Sequence, residues 1–343
     1  MAGGRQNPSW TRSALALSKT ASNLLIAWSV PLVFLHYVDF VAQSIPLQDA
    51  ARDLDLVDAF AGAAALSTVF RQNGLKAESF DINDGKQGDI LDPQGWFRCI
   101  HLVLRCKPGA VLFGGPPCGS WVFVNRYTSG RSKTNVTGNQ SRPYVKLANQ
   151  ITARWILLGL LAIARGCKFI TEQPSSSLMT GWIYVKYLAL IIRPIFWGNV
   201  KFPMGAYGHR TRKPTVCFGT AEWLPLLARK LTEKDKSRIK ALAEDTENAM
   251  VIKRVNKQGK VTVQGGPGMK KSAVYPRGFA KAVLKHHLKA KPKKVPTFEL
   301  TPGIKAPYKW RHAACASMRA VLKKHVADGD YTPLMSRGLF DDL

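Results

Sequence analysis

The chain is short of negative charge. Its 343 residues hold 22 Asp and Glu against 50 Lys and Arg, a formal net charge of +28 at pH 7. That imbalance points to a polyanionic partner, most often nucleic acid, with an anionic membrane surface as the plainer alternative. Cysteines are few and dispersed, at Cys99, Cys106, Cys118, Cys167, Cys217 and Cys315, with no CxxC pair and no histidine at zinc-finger spacing. This argues against a disulfide framework and a structural zinc site, so no metal is expected and reduced thiols in an intracellular compartment fit best. The N-terminal part also lacks the ~20 apolar residues that a spanning helix needs. Its N-terminal apolar stretch, Leu24–Leu35, follows Arg5, Arg12 and Lys19 as in a signal peptide or weak anchor, but Pro31, His36 and Asp39 interrupt or bound it. A helix packed on the domain or a poorly ordered extension is the preferred reading, with a membrane or signal-like role left open. No internal repeat is visible.

Apolar residues are not lacking. At 46% they are ample for a packed core. From about Asp55 to Thr220 strand and helix patterns alternate: strands at Leu54–Phe60, Ala77–Ile82, Ala110–Phe113, Lys168–Thr171 and Thr215–Phe218, and helices at Ala63–Asn73, Trp96–Cys106 and Tyr144–Arg165. Such alternation predicts an α/β fold built on a doubly wound sheet. Residues 1–50 read as an N-terminal extension with an apolar helix, 51–220 as the main domain, and 221–343 as a lysine-rich C-terminal region. In that last region Thr232-Glu233-Lys234-Asp235 predicts a capping box. Val251–Val263, with Asn256 and Gly259, suggests a hairpin, and Val274–Leu288 a helix after Pro276. Lys289–Lys294 is a basic run that reads equally as a nuclear-import-like cluster or a solvated linker. Between Trp121 and Pro143 lies a long polar loop, of the kind that is usually functional or disordered.

Two places carry chemistry. Val57-Asp58-Ala59-Phe60-Ala61-Gly62 is a strand followed by a glycine turn into a helix, and Asp81 closes the next strand about twenty residues on. Such a junction suits an adenosyl or dinucleotide cofactor, with Asp81 placed for ribose hydroxyls and Asp89 for the adenine amino group. On spacing alone the signal is weak, since Ala64 and Ala65 stand where further glycines would strengthen it. Further on, Gly114-Gly115-Pro116-Pro117-Cys118 holds one thiol on a stiff turn after the apolar run Ala110–Phe113. Glycines allow close backbone approach and the prolines restrict the chain before the sulfur, so Cys118 is a candidate nucleophile. A buried structural thiol is the other reading.

Taken in order, Asp58–Gly62, Asp81, Gly88-Asp89-Ile90, Gly114–Cys118, Thr171-Glu172-Gln173-Pro174 and Arg210-Thr211-Arg212 resemble the cytosine-5 methyltransferases of DNA and their relatives acting on transfer RNA. The Glu-Gln-Pro-Ser-Ser-Ser-Leu-Met wording is also similar to that of methylase-like proteins of unicellular algae. The resemblance covers roughly Asp55 to Thr220 and implies a Rossmann-like S-adenosylmethionine-dependent methyltransferase sheet with a basic C-terminal extension. It implies that Phe60, Gly62, Asp81, Asp89 and Pro116 hold S-adenosylmethionine, and that Cys118 adds to C6 of cytosine. It sets Glu172 at the N3 and N4 edge of the base, with Arg210 and Arg212 beside the base and catalytic groups. The Trp121–Pro143 loop then corresponds to the mobile loop that closes over nucleic acid, DNA rather than RNA being the expected partner. Departures from the family pattern cluster after the thiol: Gly119 stands where a glutamine is usual, and Gln173-Pro174 where Asn-Val is usual. No target-recognition domain is evident beyond Thr220. The alternatives are a catalytically inactive, basic nucleic-acid-binding protein on the same fold, and an RNA cytosine-5 methyltransferase.

Overall fold

Six strands form one mixed sheet in the order β2-β1-β3-β4-β6-β5. They are β1 (Leu54–Ala59), β2 (Ala77–Phe80), β3 (Cys106–Gly114), β4 (Lys168–Pro174), β5 (Gly198–Pro203) and β6 (Pro214–Gly219). The computed structural model describes residues 15–46, 50–243, 251–255, 258–259, 261–265, 273–290 and 310–328. Arg5, Arg12, Asn256 and Lys291–Lys294 lie outside the described residues. The first four strands pair in parallel, whereas β6 runs antiparallel to both β4 and β5. The sheet is therefore the expected α/β type with one reversed strand. Parallel strands covered on both faces read as continuous apolar runs, which is why Val111-Leu112-Phe113 is wholly buried.

Parallel neighbours need crossovers, and helices supply them. After β1 comes α3 (Ala65–Gln72), closed by Gly74 at φ +77°. After β2 comes α4 (Pro93–Leu104), which starts earlier than the predicted Trp96 because the Asp92 side chain accepts from the Gln94 N–H and Pro93 pre-sets the first turn. A four-residue helix, α5 (Arg126–Ser129), and the long α6 (Pro143–Ala164) link β3 to β4, and α7 (Ile183–Ile191) precedes β5. Sequence periodicity did not single out α7 or β5. Preceding β1 are α1 (Lys19–Ala27) and α2 (Leu32–Gln43), split at Ser29 and Pro31. Beyond β6 come α8 (Glu233–Ala243), the hairpin β7 (Val251–Val255) and β8 (Val261–Gly265), α9 (Arg277–Lys289) and α10 (Trp310–Ala327). At the start of α8 the predicted capping box forms, Thr232 and Asp235 each accepting the other's backbone N–H.

The sheet separates two apolar layers. Alternate side chains point to opposite faces, so Leu112 and Phe169 join one cluster while Leu56, Val111, Phe113 and Ile170 join the other. On the first face pack α1, α2, α4, α6, α7 and α10; on the second pack α3 and α9. Helix α6 is the one described helix long and apolar enough to cross a membrane, and it is mostly buried inside the fold. It touches β3 and β4 on one side and α1, α4, α7 and α10 on others, so apolar residues all round it are expected of a central core helix. The N-terminal apolar stretch is likewise packed: Phe34, Tyr37, Val38 and Val41 are buried, and the Tyr187 hydroxyl donates to the Trp28 carbonyl at 2.9 Å.

Candidate active site

Strand order reverses on either side of β1, whose neighbours are β2 and β3. The carboxyl ends of β1 and β3 therefore flank the topological switch point, where open α/β sheets bind ligands. Register puts Ala59 beside both Phe80 and Gly114, and Gly114 beside Thr171. The Gly62 turn, Asp81, the Gly114–Cys118 turn and Glu172 thus emerge along one edge. Because β6 is reversed, its first residues meet the last of β4, with Thr215 opposite Pro174. Arg210, Arg212 and Lys213 enter on the same edge for that reason.

At the β1 end the backbone turns sharply. Phe60, Gly62 and Ala64 have φ of +55°, +53° and +51°. Left-handed Phe and Ala are strained, and strain of this kind collects at ligand sites. Both Asp81 oxygens are engaged by backbone: one accepts from Gly62 N–H at 2.8 Å, the other from Asn83 N–H at 3.0 Å. Each carboxylate oxygen has acceptor capacity left over. Asp89 accepts from Leu91 N–H at 2.8 Å, and Gly88 packs so tightly on the Asp81 carbonyl that a side chain there would collide with it. No atom lies within 4 Å of the position a Gly62 Cβ would take, so space is open above that turn. The half-buried Phe60 ring sets its edge on Trp155 at 5.5 Å, and the Trp155 N–H donates to Thr171 Oγ1 at 2.9 Å. Asp58, just below the turn, is fully buried with one oxygen unpartnered, and burial lifts its carboxyl to about 7.

At the β3 end the thiol turn is clamped from β4. Gln173 Nε2 donates to the buried Pro116 carbonyl at 2.6 Å, while Gln173 Oε1 accepts from Ser177 at 3.0 Å. Gln173 therefore fixes the turn that carries the thiol. The Cys118 carbonyl accepts from Trp121 N–H at 2.8 Å and Val122 N–H at 3.1 Å, leaving the thiol partly exposed. Burial and the negative charge of Glu172 push the Cys118 thiol up, and the Lys213 ammonium partly offsets them.

Glu172 is the single acidic residue between Asp92 and Glu222, and it is 6% exposed. Burial pushes its carboxyl up, against the pull of Lys213 and Tyr275. The Tyr275 hydroxyl donates to Oε2 at 2.9 Å, and Lys213 Nζ lies 3.8 Å from Oε1. Oε1 has no hydrogen-bond partner among the described residues. Tyr275 stands just before α9, in the lysine-rich region, with its ring against Phe113 and Phe279 and with Lys213 Nζ 5.2 Å above it. Gly115 is required here, because a Cβ on it would overlap the Tyr275 hydroxyl.

The two predicted arginines stand apart from this cluster. Arg212 is exposed and Arg210 partly so, and neither guanidinium makes a hydrogen bond or ion pair among the described residues. Lys213 is the cation that reaches Glu172. Its segment is held from α8, whose Arg238 donates to the Gly205, Gly208 and His209 carbonyls. The Trp121–Pro143 stretch, expected as a mobile loop, is built around a buried cation. Arg131 is 1% exposed and bonds Ser120, Asn149 and the Val136 and Thr137 carbonyls. Its guanidinium lies 3.4 Å from the Trp121 ring centre. Among the described residues no group of three or more His, Cys, Asp or Glu is placed to hold a metal.

No protein-family model matches this chain, and no curated protein matches it in sequence.

Proposed function

We propose that the chain is an S-adenosylmethionine-dependent methyltransferase acting on C5 of cytosine in nucleic acid, with Cys118 as nucleophile. One observation carries the reading. A partly exposed thiol follows β3 and a buried carboxyl stands on its parallel neighbour β4, next to the switch point and its strained glycine turn and acidic strand end. Open space over Gly62 and residual acceptor capacity on Asp81 fit an adenosyl group. Phe60, Gly62, Asp81, Asp89 and Pro116 are the residues that would hold it, and S-adenosylmethionine would supply an electrophilic methyl group.

In this mechanism Cys118 loses its proton to water and the sulfur adds to C6 of the ring. The C5–C6 electron pair moves to C5, which would take the methyl group as the sulfonium–methyl bond breaks and a neutral thioether leaves. Loss of the C5 hydrogen as a proton then restores the double bond and expels the thiolate. Glu172 Oε1 is the open acceptor for the amino edge of the base, and in its protonated form it donates to N3, where negative charge develops. Burial favours that protonated form. Lys213 favours the Cys118 thiolate over the thiol.

The raised thiol of Cys118 favours a second reading, a nucleic-acid-binding protein on this fold without catalysis. Incubation with S-adenosylmethionine and DNA containing 5-fluorocytosine separates the two, because fluorine at C5 cannot leave as a proton and the adduct persists. A denaturation-resistant adduct that disappears in Cys118→Ser is the expected result. Cofactor binding without an adduct on DNA or on the equivalent RNA would leave only the second reading.

A further inference from the structure

Five residues past Cys118 the chain exposes a group of side chains that the proposed chemistry does not use. Phe123, Val124 and Tyr127 are 45%, 81% and 94% exposed. The Arg126 guanidinium lies 4.1 Å from the Phe123 ring centre. Rings this open are costly to leave in water without a partner, and patches of this kind mark interaction sites.

The platform is held rigidly. Phe123 N–H donates to the Ser176 carbonyl at 3.2 Å, and Asn125 Nδ2 donates to the Gly119 carbonyl at 2.6 Å. Gly130, at φ +65°, closes the short helix α5 with a bond back to Arg126. Beneath it Trp121 is fully buried between Arg131 and Trp182. The rings are therefore presented on a fixed pedestal tied to the residue after the nucleophile, with no hinge needed to bring them there.

The charge around them selects the occupant. Arg126, Lys133, Arg142 and Lys146 are exposed on this stretch, and the sequence has no Asp or Glu from Pro93 to Thr171. Cations alternating with open aromatic faces suit a strand with a phosphate backbone and unstacked bases. In a duplex the base faces are already stacked on each other and only edges and phosphates are offered. We infer that the substrate of this site is single-stranded nucleic acid, whose bases flanking the target stack on Tyr127 and on the Phe123–Arg126 pair. This rests on the nucleic-acid reading of the Cys118 site and names the form of polymer it takes.

The test is fluorescence anisotropy of the full chain at one fixed salt concentration. Three labelled probes of identical sequence and about 12 nucleotides are compared, within the span of single-strand sites: single-stranded DNA, single-stranded RNA and blunt duplex DNA. Both single strands should bind more tightly than the duplex, and a preference for one of them supports the inference and names the polymer. Phe123→Ala and Tyr127→Ala should each weaken single-strand binding about 5- to 150-fold, the range for loss of one stacked base, with little effect on the duplex. Tyr127→Phe should restore it. Both positions are exposed, and unchanged thermal melting will show that the variants fold. Equal affinity for strand and duplex, or single-strand affinity untouched in both alanine variants, overturns the inference. Failure of the parent chain to form the covalent adduct, with these binding differences intact, counts against methyl transfer alone.

Discussion

Replacing Lys213 with methionine should make stability fall with rising pH more steeply than in the parent. Lys213 Nζ is 3.8 Å from Glu172 Oε1, and the two side chains are 16% and 7% exposed. At an effective dielectric near 20, unit charges at that separation attract by about 4 kcal/mol. Methionine keeps much of the stem and removes the charge. Glu172 then either stays ionised and unpaired, at about 3–5 kcal/mol, or binds a proton, at about 1.36 kcal/mol for each tenfold rise in proton affinity. The cheaper route wins, so protonation caps the loss. The sign follows from linkage. In the parent, burial lifts the Glu172 carboxyl above its ordinary 4.5 while Lys213 and Tyr275 pull it down. Without Lys213 it rises further. Well below pH 4.5 the carboxyl is protonated in folded and unfolded chains alike, and the variant loses nothing from the missing pair. As pH climbs toward neutrality the unfolded chain releases that proton and the folded variant holds it, so its stability drops relative to the parent. Urea unfolding at a series of pH values should show a gap near zero at pH 4 that widens to about 2–4 kcal/mol at pH 8. A gap of constant size from pH 4 to pH 8 would refute an electrostatic role for Lys213.

Two further outcomes test the same edge. Gly115→Ala places a methyl group against the Tyr275 hydroxyl and 3.3 Å from Glu172 Oε2, so it should cost about 1–3 kcal/mol by overpacking and weaken the covalent adduct. Gly119→Ala, where nothing lies within 4 Å of the new carbon, should leave stability unchanged in the same urea titration. Asp58, lifted to about 7 from an ordinary 3.8 by burial, holds a proton in the folded chain that the unfolded chain gives up, so it lowers stability as pH rises between those values. Asp58→Asn mimics the protonated form; its melting temperature should match the parent at pH 4 and exceed it at pH 8, by up to about 4 kcal/mol in stability. A less stable variant at pH 8 would sink the claim that burial dominates at Asp58.

The first half of the sheet was legible because each of its strands is a short apolar run punctuated by glycine or by a capping residue. Val111-Leu112-Phe113 before Gly114, and Lys168–Thr171 after Gly166, leave little room for another assignment. Strand β5 was not legible, because Gly198–Pro203 sits at the sheet edge with Asn199 and Lys201 exposed and has no continuous apolar run. The reversed direction of β6 is also invisible in its own sequence, since Thr215–Phe218 would read the same in either direction. Only the pairing with β4 and β5 decides it.

That reversal explains why the site was half legible. Cys118 follows β3 closely and Glu172 stands within β4, so local pattern and order suffice to place them. Lys213 and Tyr275 reach Glu172 by routes that no local pattern carries. Lys213 does so because β6 begins where β4 ends. Tyr275 does so because α9 packs on α3 and on the sheet face lined by Phe113, 103 residues from its carboxylate partner. Sequence order favoured Arg210 and Arg212 as the site's cations, yet residues at successive alternate positions of an extended segment share a face while the next one points away. Lys213, at φ +35°, breaks that alternation and turns its ammonium inward. A lysine has the compact charge and flexible stem to reach a buried carboxylate between an aromatic ring and a tight glycine turn, where a guanidinium plane would need more room. The two arginines are thereby left at the rim, with guanidinium donors unpaired among the described residues.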